Sequence, residues 1–218
     1  MRVDYKKLIT DYLKEQNYEA IVDVGRENNA RALRYVQMNI WGDYRNAQRW
    51  HAVMALEALA EAYGADHDEI YRNVIRRAVW AMADESGNVP WAAPEMMAAV
   101  IKAQPEQYRE FVKIMITNGL DSPMCHLGVL WSIGYLGEAY LDDIEPYLHR
   151  IVKFLDHADG ELRGTAVWAL KQLHYEPAFV KINSMADDAA EVWIFEDGAL
   201  QRKTISQIVC EQGREICA

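Results

Sequence analysis

The chain has 218 residues, is 51% hydrophobic and carries a formal net charge of -10 at pH 7, with an isoelectric point near 5.1. That apolar content fills a sizeable core, and the acidic balance disfavours general binding to phosphate backbones. Three scattered cysteines, Cys125, Cys210 and Cys217, form no CxxC pair and argue against a disulfide framework.

Apolar residues recur at helical spacing through the first 190 positions. The spacing predicts helices near 2–16, 18–28, 29–40, 45–63, 67–83, 90–103, 105–118, 123–138, 143–157, 160–174 and 176–186. The joints between them, such as Trp41-Gly42-Asp43, Asp84-Glu85-Ser86-Gly87-Asn88 and Asp159-Gly160, carry Asp, Asn or Gly. Those residues cap helices or tolerate left-handed backbone. The pattern then changes. Glu191-Val192-Trp193-Ile194-Phe195 is β-branched and aromatic, Glu196-Asp197-Gly198 supplies a turn, and Ala199-Leu200-Gln201-Arg202-Lys203 returns, which predicts a hairpin. A short helix follows, capped by Thr204 or Ser206. A helical domain over 1–188 and a hairpin-plus-helix cap over 189–218 are expected.

The helices repeat. Aligning the second helix of each successive pair places Met54, Met96, Trp131 and Trp168 in register, at separations of 42, 35 and 37 residues. That period belongs to HEAT or armadillo pairs rather than to the shorter ankyrin or tetratricopeptide units. The clearest copy, Asp156 to Leu170, places Asp159 in the intra-repeat turn, Arg163 early in the second helix, and then Ala166-Val167-Trp168-Ala169-Leu170. Over residues 29–175 the chain resembles the HEAT-like repeats of the bilin-lyase type. Arg49 with Val53-Met54-Ala55-Leu56 matches the pattern well. Trp91 and Pro94 depart from it, as does His126, which stands in the Arg position. The resemblance implies an all-α, right-handed α-α superhelix closed by the small C-terminal β-hairpin. Such repeats serve as scaffolds, as lyase subunits and as DNA glycosylases, so the fold does not choose a function.

Candidate functional residues fall on the departures. On the helix over 160–174 the buried stripe is Leu162, Ala166, Ala169, Leu170 and Leu173, and Trp168 lies about 120° away among polar residues. Trp131 takes the equivalent place one repeat earlier, and Met96 and Met54 continue the row. On second helices such a row is either an adaptable binding strip on the concave face or packing between repeats. Trp91, Glu95, Met96, His126, Trp131, Arg163 and Trp168 are therefore the candidate binding residues. Asp84 and Glu85, with Glu95, supply either an anionic loop pocket or a capped turn near a helix N-terminus. Cys125 beside His126 has the residue types of an activated nucleophile. Adjacent helical positions diverge by about 100°, however, which favours a turn-to-helix hydrogen bond for His126. Asp66-His67-Asp68-Glu69 has metal-ligand residue types in an order that suits helix capping better. Cys210 and Cys217 lie seven apart in the tail. The cluster Arg26, Arg31, Arg34, Arg45 and Arg49 is either a solvated face or a local site for an anionic partner.

The expected function is a non-enzymatic interaction scaffold that binds a peptide or protein, with no cofactor, no metal and no catalytic residue assigned. The alternative from the family resemblance is a lyase-like accessory protein that binds a tetrapyrrole or another flat ligand. A HEAT-like DNA glycosylase is disfavoured by the acidity, and nucleic acid is not expected as a partner. The start of the chain lacks an apolar leader and no window reaches roughly 18 uninterrupted apolar residues, so a cytoplasmic protein without membrane contact is expected.

Overall fold

The computed structural model describes residues 3–83 and 92–211. The chain is mostly helical and ends in a two-stranded antiparallel sheet. It divides into two compact units, Met1–Met115 and Ile116–Ala218. The C-terminal hairpin and the short helix after it pack within the second unit. Among the described residues no helix is long and apolar enough to cross a membrane.

In the first unit, α1 (Tyr5–Lys14) and α2 (Tyr18–Ile40) lead to α3 (Ala47–Tyr63), α4 (Asp68–Met82) and α5 (Ala93–Ala103). A single turn, α6 (Pro105–Tyr108), follows. Side-chain caps fix several starts: Asp4 accepts from Lys7 N, Asn17 from Ala20 N and Asn46 from Gln48 N. α2 carries the expected break, since Asn28 leaves helical geometry at φ -161° and ψ 94°, and its carboxamide caps the second half at Arg31 N. α2 packs on α3, α3 on α5, and α4 on α5. The core between them includes Ile21, Leu33, Val36, Leu56, Leu59, Ile75 and Met97. Tyr71, fully buried, donates to Leu59 O at 2.7 Å and to Asn29 Oδ1 at 3.1 Å, tying α4 to both α3 and α2.

α7 (Val112–Asp121) spans the division. In the second unit, α8 (His126–Leu136) packs against α11 (Gly160–Gln172). Between them the expected helix over 143–157 is a series of short turns that includes α9 (Leu141–Ile144) and α10 (Leu148–Ile151), interspersed with 3-10 segments. Pro146 within that stretch lacks the N–H a continuous helix requires. Asp159 caps α11 by accepting from Glu161 N at 2.9 Å. After α12 (Phe179–Asn183), β1 (Glu191–Glu196) and β2 (Ala199–Thr204) pair antiparallel, with Glu196 opposite Ala199. The two turn residues Asp197 and Gly198 both have positive φ, 50° and 75°, the geometry whose twist matches a two-residue hairpin. Thr204 and Gln207 form a reciprocal capping box that starts α13 (Ile205–Cys210).

Candidate partner-binding groove

The aligned aromatic row is not an open strip. Trp131 is 2% exposed, stacks on Tyr135 at 4.5 Å, and donates its indole N–H to Phe195 O at 2.8 Å. Trp168 is 6% exposed and donates to Glu196 Oε2 at 2.8 Å. Both indole donors therefore end on β1. The sequence pattern put these residues on an open face of their helices, whereas both helices are buried on nearly every side and the chain's own hairpin covers the two indoles. Two glycines permit the closeness. A Cβ at Gly134 would sit 2.4 Å from the Trp168 ring, and one at Gly164 would sit 2.1 Å from Val192. Trp131 and Trp168 are thus core residues of the second unit, each with its polar N–H satisfied.

The other expected site residues are also engaged. Met96 is buried in α5. Glu95 is buried rather than at a polar edge, and forms an ion pair with the equally buried Arg49 of α3. Burial pushes the Glu95 carboxyl up from its usual value, against the pull of the Arg49 guanidinium. Arg49 Nη1 also donates to Gly42 O at 3.4 Å. On the same helix, His51 shares a 2.6 Å hydrogen bond with the Tyr18 hydroxyl, whose pKa burial pushes up to about 12. Burial holds His51 below the usual imidazole value.

In the second unit, His126 Nε2 meets Leu120 O at 3.1 Å, the turn-to-helix bond its position suggested, and its ring packs edge-on against Phe154. Cys125 is buried, at the 3-10 turn Pro123–Cys125 that precedes α8. Arg163 grips Asp188 through Nε and Nη2 and donates to His157 O and Ala158 O, so it fastens a loop. Asp68 pairs with Arg72 and accepts from the Tyr108 hydroxyl at 3.0 Å, which holds its carboxyl below the usual range. Trp91, Asp84 and Glu85 lie outside the described residues.

An open groove lies in the first unit, along α2 and α4. Ala30, Leu33, Arg34, Gln37, Met38 and Trp41 form one stripe of α2, at successive spacings of three, one, three, one and three. Ile70, Asn73, Val74 and Arg77 form the matching stripe of α4. Between them runs a groove of about 530 Å³, within the range of small-ligand and short-segment sites. At 1.5 Å per residue the α2 bank is about 16 Å long. Three large apolar side chains stand in solvent on these helices: Met38 at 47%, Trp41 at 51% and Trp80 at 71% exposure.

No protein-family model, curated protein or solved structure matches the chain.

Arg34 and Arg77 line the groove from opposite banks. Both are exposed, and among the described residues neither is in an ion pair. Among the described residues the lining contains no carboxylate. The arginine cluster in the sequence held one of these residues, Arg34. Arg77 was missed because nothing at the sequence level shows that it faces α2.

Proposed function

We propose that this chain is a non-enzymatic, HEAT-like repeat protein that docks a segment of a protein partner in the groove between α2 and α4. The observation that carries the reading is the concentration of exposed Met38, Trp41 and Trp80 along two helices that also form the groove. Isolated exposed apolar residues are ordinary, but a cluster of large ones rimmed by polar groups is the signature of an interaction surface. Methionine and tryptophan are both enriched at such surfaces, the first because it adapts its shape and the second because it offers large area.

The repeat assignment is supported within each unit separately. In the first, α3 packs on α5, the second helices of consecutive pairs; in the second, α8 packs on α11 in the same relation. The docking surface proposed here involves first helices, α2 and α4. The row of second-helix aromatics expected to serve this purpose is occupied by β1.

Panning a displayed random-peptide library on the full-length chain tests the reading. Enriched peptides are expected to compete with one another and to lose binding when Met38→Ser and Trp41→Ala are combined, while far-ultraviolet dichroism stays unchanged. Enrichment of peptides indifferent to both substitutions, or no enrichment, would remove the groove as the docking site.

A further inference from the structure

We infer that the segment docked between α2 and α4 is acidic, with aspartate or glutamate side chains flanking an apolar anchor. This rests on the docking reading above and adds the chemistry of the partner. The chain as a whole is acidic, at -10, yet the groove reverses that sign: among the described residues two arginines line it and no carboxylate does. One lines the α2 bank, its guanidinium carbon 5.9 Å from the Tyr35 ring centre, and the other lines the α4 bank, so two guanidinium groups share one channel. Like charges facing each other across a channel repel, and a bound anion relieves that repulsion while gaining charge-assisted hydrogen bonds from both. Guanidinium matches the planar carboxylate fork better than ammonium does, and neither bank uses lysine. Gln37 adds a neutral donor beside the two charges, while the Asn73 carboxamide donates to Glu69 Oε1 and accepts from Arg76. Leu33, Met38, Ile70 and Val74 supply apolar walls on both banks, and Trp41 closes one end. A free inorganic anion would leave those walls unused, whereas an amphipathic acidic segment fills both parts of the site. A stretch of two to three helical turns spans the roughly 16 Å of the α2 bank.

The test uses full-length protein and four fluorescein-labelled 14-residue peptides. All carry Leu, Trp and Leu at helical spacings of three and four, and they differ only in six flanking positions, which are all Glu, all Gln, all Lys or all phosphoserine. Fluorescence anisotropy gives the affinities. The Glu peptide is expected to bind about tenfold or more tightly than the Gln peptide, the Lys peptide least, and the Glu advantage to shrink as salt rises. Arg34→Gln combined with Arg77→Gln should abolish the Glu advantage without weakening the Gln peptide. Equal binding of Glu and Gln peptides, both lost in Trp41→Ala, would overturn the acidic assignment and leave the docking reading standing. A tenfold preference for phosphoserine over Glu would assign the groove to a phosphorylated segment instead and overturn it as well. If no peptide binds and panning also yields nothing that depends on Met38 and Trp41, both fail together.

Discussion

At the residue scale, the buried polar groups show how the sequence hides its meaning. Glu95 and Arg49 are 46 positions apart, and only the packing of α5 on α3 brings them together. In the sequence Glu95 is one of several carboxylates near a helix start, and nothing marks it as buried. Removing one member of such a pair costs about 3–5 kcal/mol, because the remaining charge stays in a low-dielectric setting. Glu95→Gln should therefore lower stability by about that amount in chemical denaturation. Arg49→Met combined with Glu95→Leu should be less damaging than the single charge-removing change, since it leaves no buried ion behind. A double variant worse than Glu95→Gln would contradict this account of the pair.

The buried imidazoles give a pH dependence with a definite sign. Burial holds both His51 and His126 below the ordinary value of 6.5. Below that pH the unfolded chain binds protons that the folded chain refuses, so these groups contribute stability that is present above about 6.5 and lost as pH falls. Denaturation midpoints measured from pH 7.5 down to 5 should decline, and His51→Gln should decline less steeply than the parent. A steeper decline in the variant would overturn the assignment.

At the scale of elements, helix positions were legible because caps and periodicity are local. Asn17, Asn46, Asp159 and Thr204 each cap the helix they precede, and the Asp197-Gly198 turn sits where the alternating pattern breaks. The partner of an exposed-looking face was not legible. The strand that covers Trp131 and Trp168 begins 23 residues or more further on, so their burial is a non-local fact. The glycines carry that fact in disguise. Gly164→Val should lift β1 from α11, since even a single Cβ there meets Val192 at 2.1 Å and Ile205 at 3.0 Å. Overpacking of this kind costs about 1–3 kcal/mol. The quenching and blue shift of buried tryptophan emission should weaken together with the thermal midpoint. Gly198→Ala, in contrast, has open space around it and only its φ of 75° to strain it. It should cost about 1 kcal/mol and leave the tryptophan environment intact.

At the scale of the whole molecule, two kinds of aromatic surface coexist. The second unit buries Trp131 and Trp168 in its own core and leaves Trp193 half-buried on the hairpin under Arg202. The first unit leaves Trp80 in solvent and Trp41 half in solvent, the latter in a groove with two arginines, a cost in exposed apolar area that its own fold does not explain. Trp41→Ala should accordingly change the thermal midpoint little, within about 0.5 kcal/mol, whereas Trp131→Ala should cost about 3–5 kcal/mol. The contrast separates a surface kept for a partner from one kept for folding. The net negative charge also suits the assignment, because an acidic segment is steered away from most of the molecule and toward a groove of the opposite sign.

The most direct test of the central claim is amide hydrogen exchange of the full-length protein with and without a saturating amount of the Glu-flanked peptide. Slowed exchange should concentrate in residues 30–41 of α2 and 70–77 of α4, and should vanish in the Arg34→Gln, Arg77→Gln, Trp41→Ala triple variant. Slowed exchange confined to β1, β2 or α8, with α2 and α4 unchanged, would contradict it.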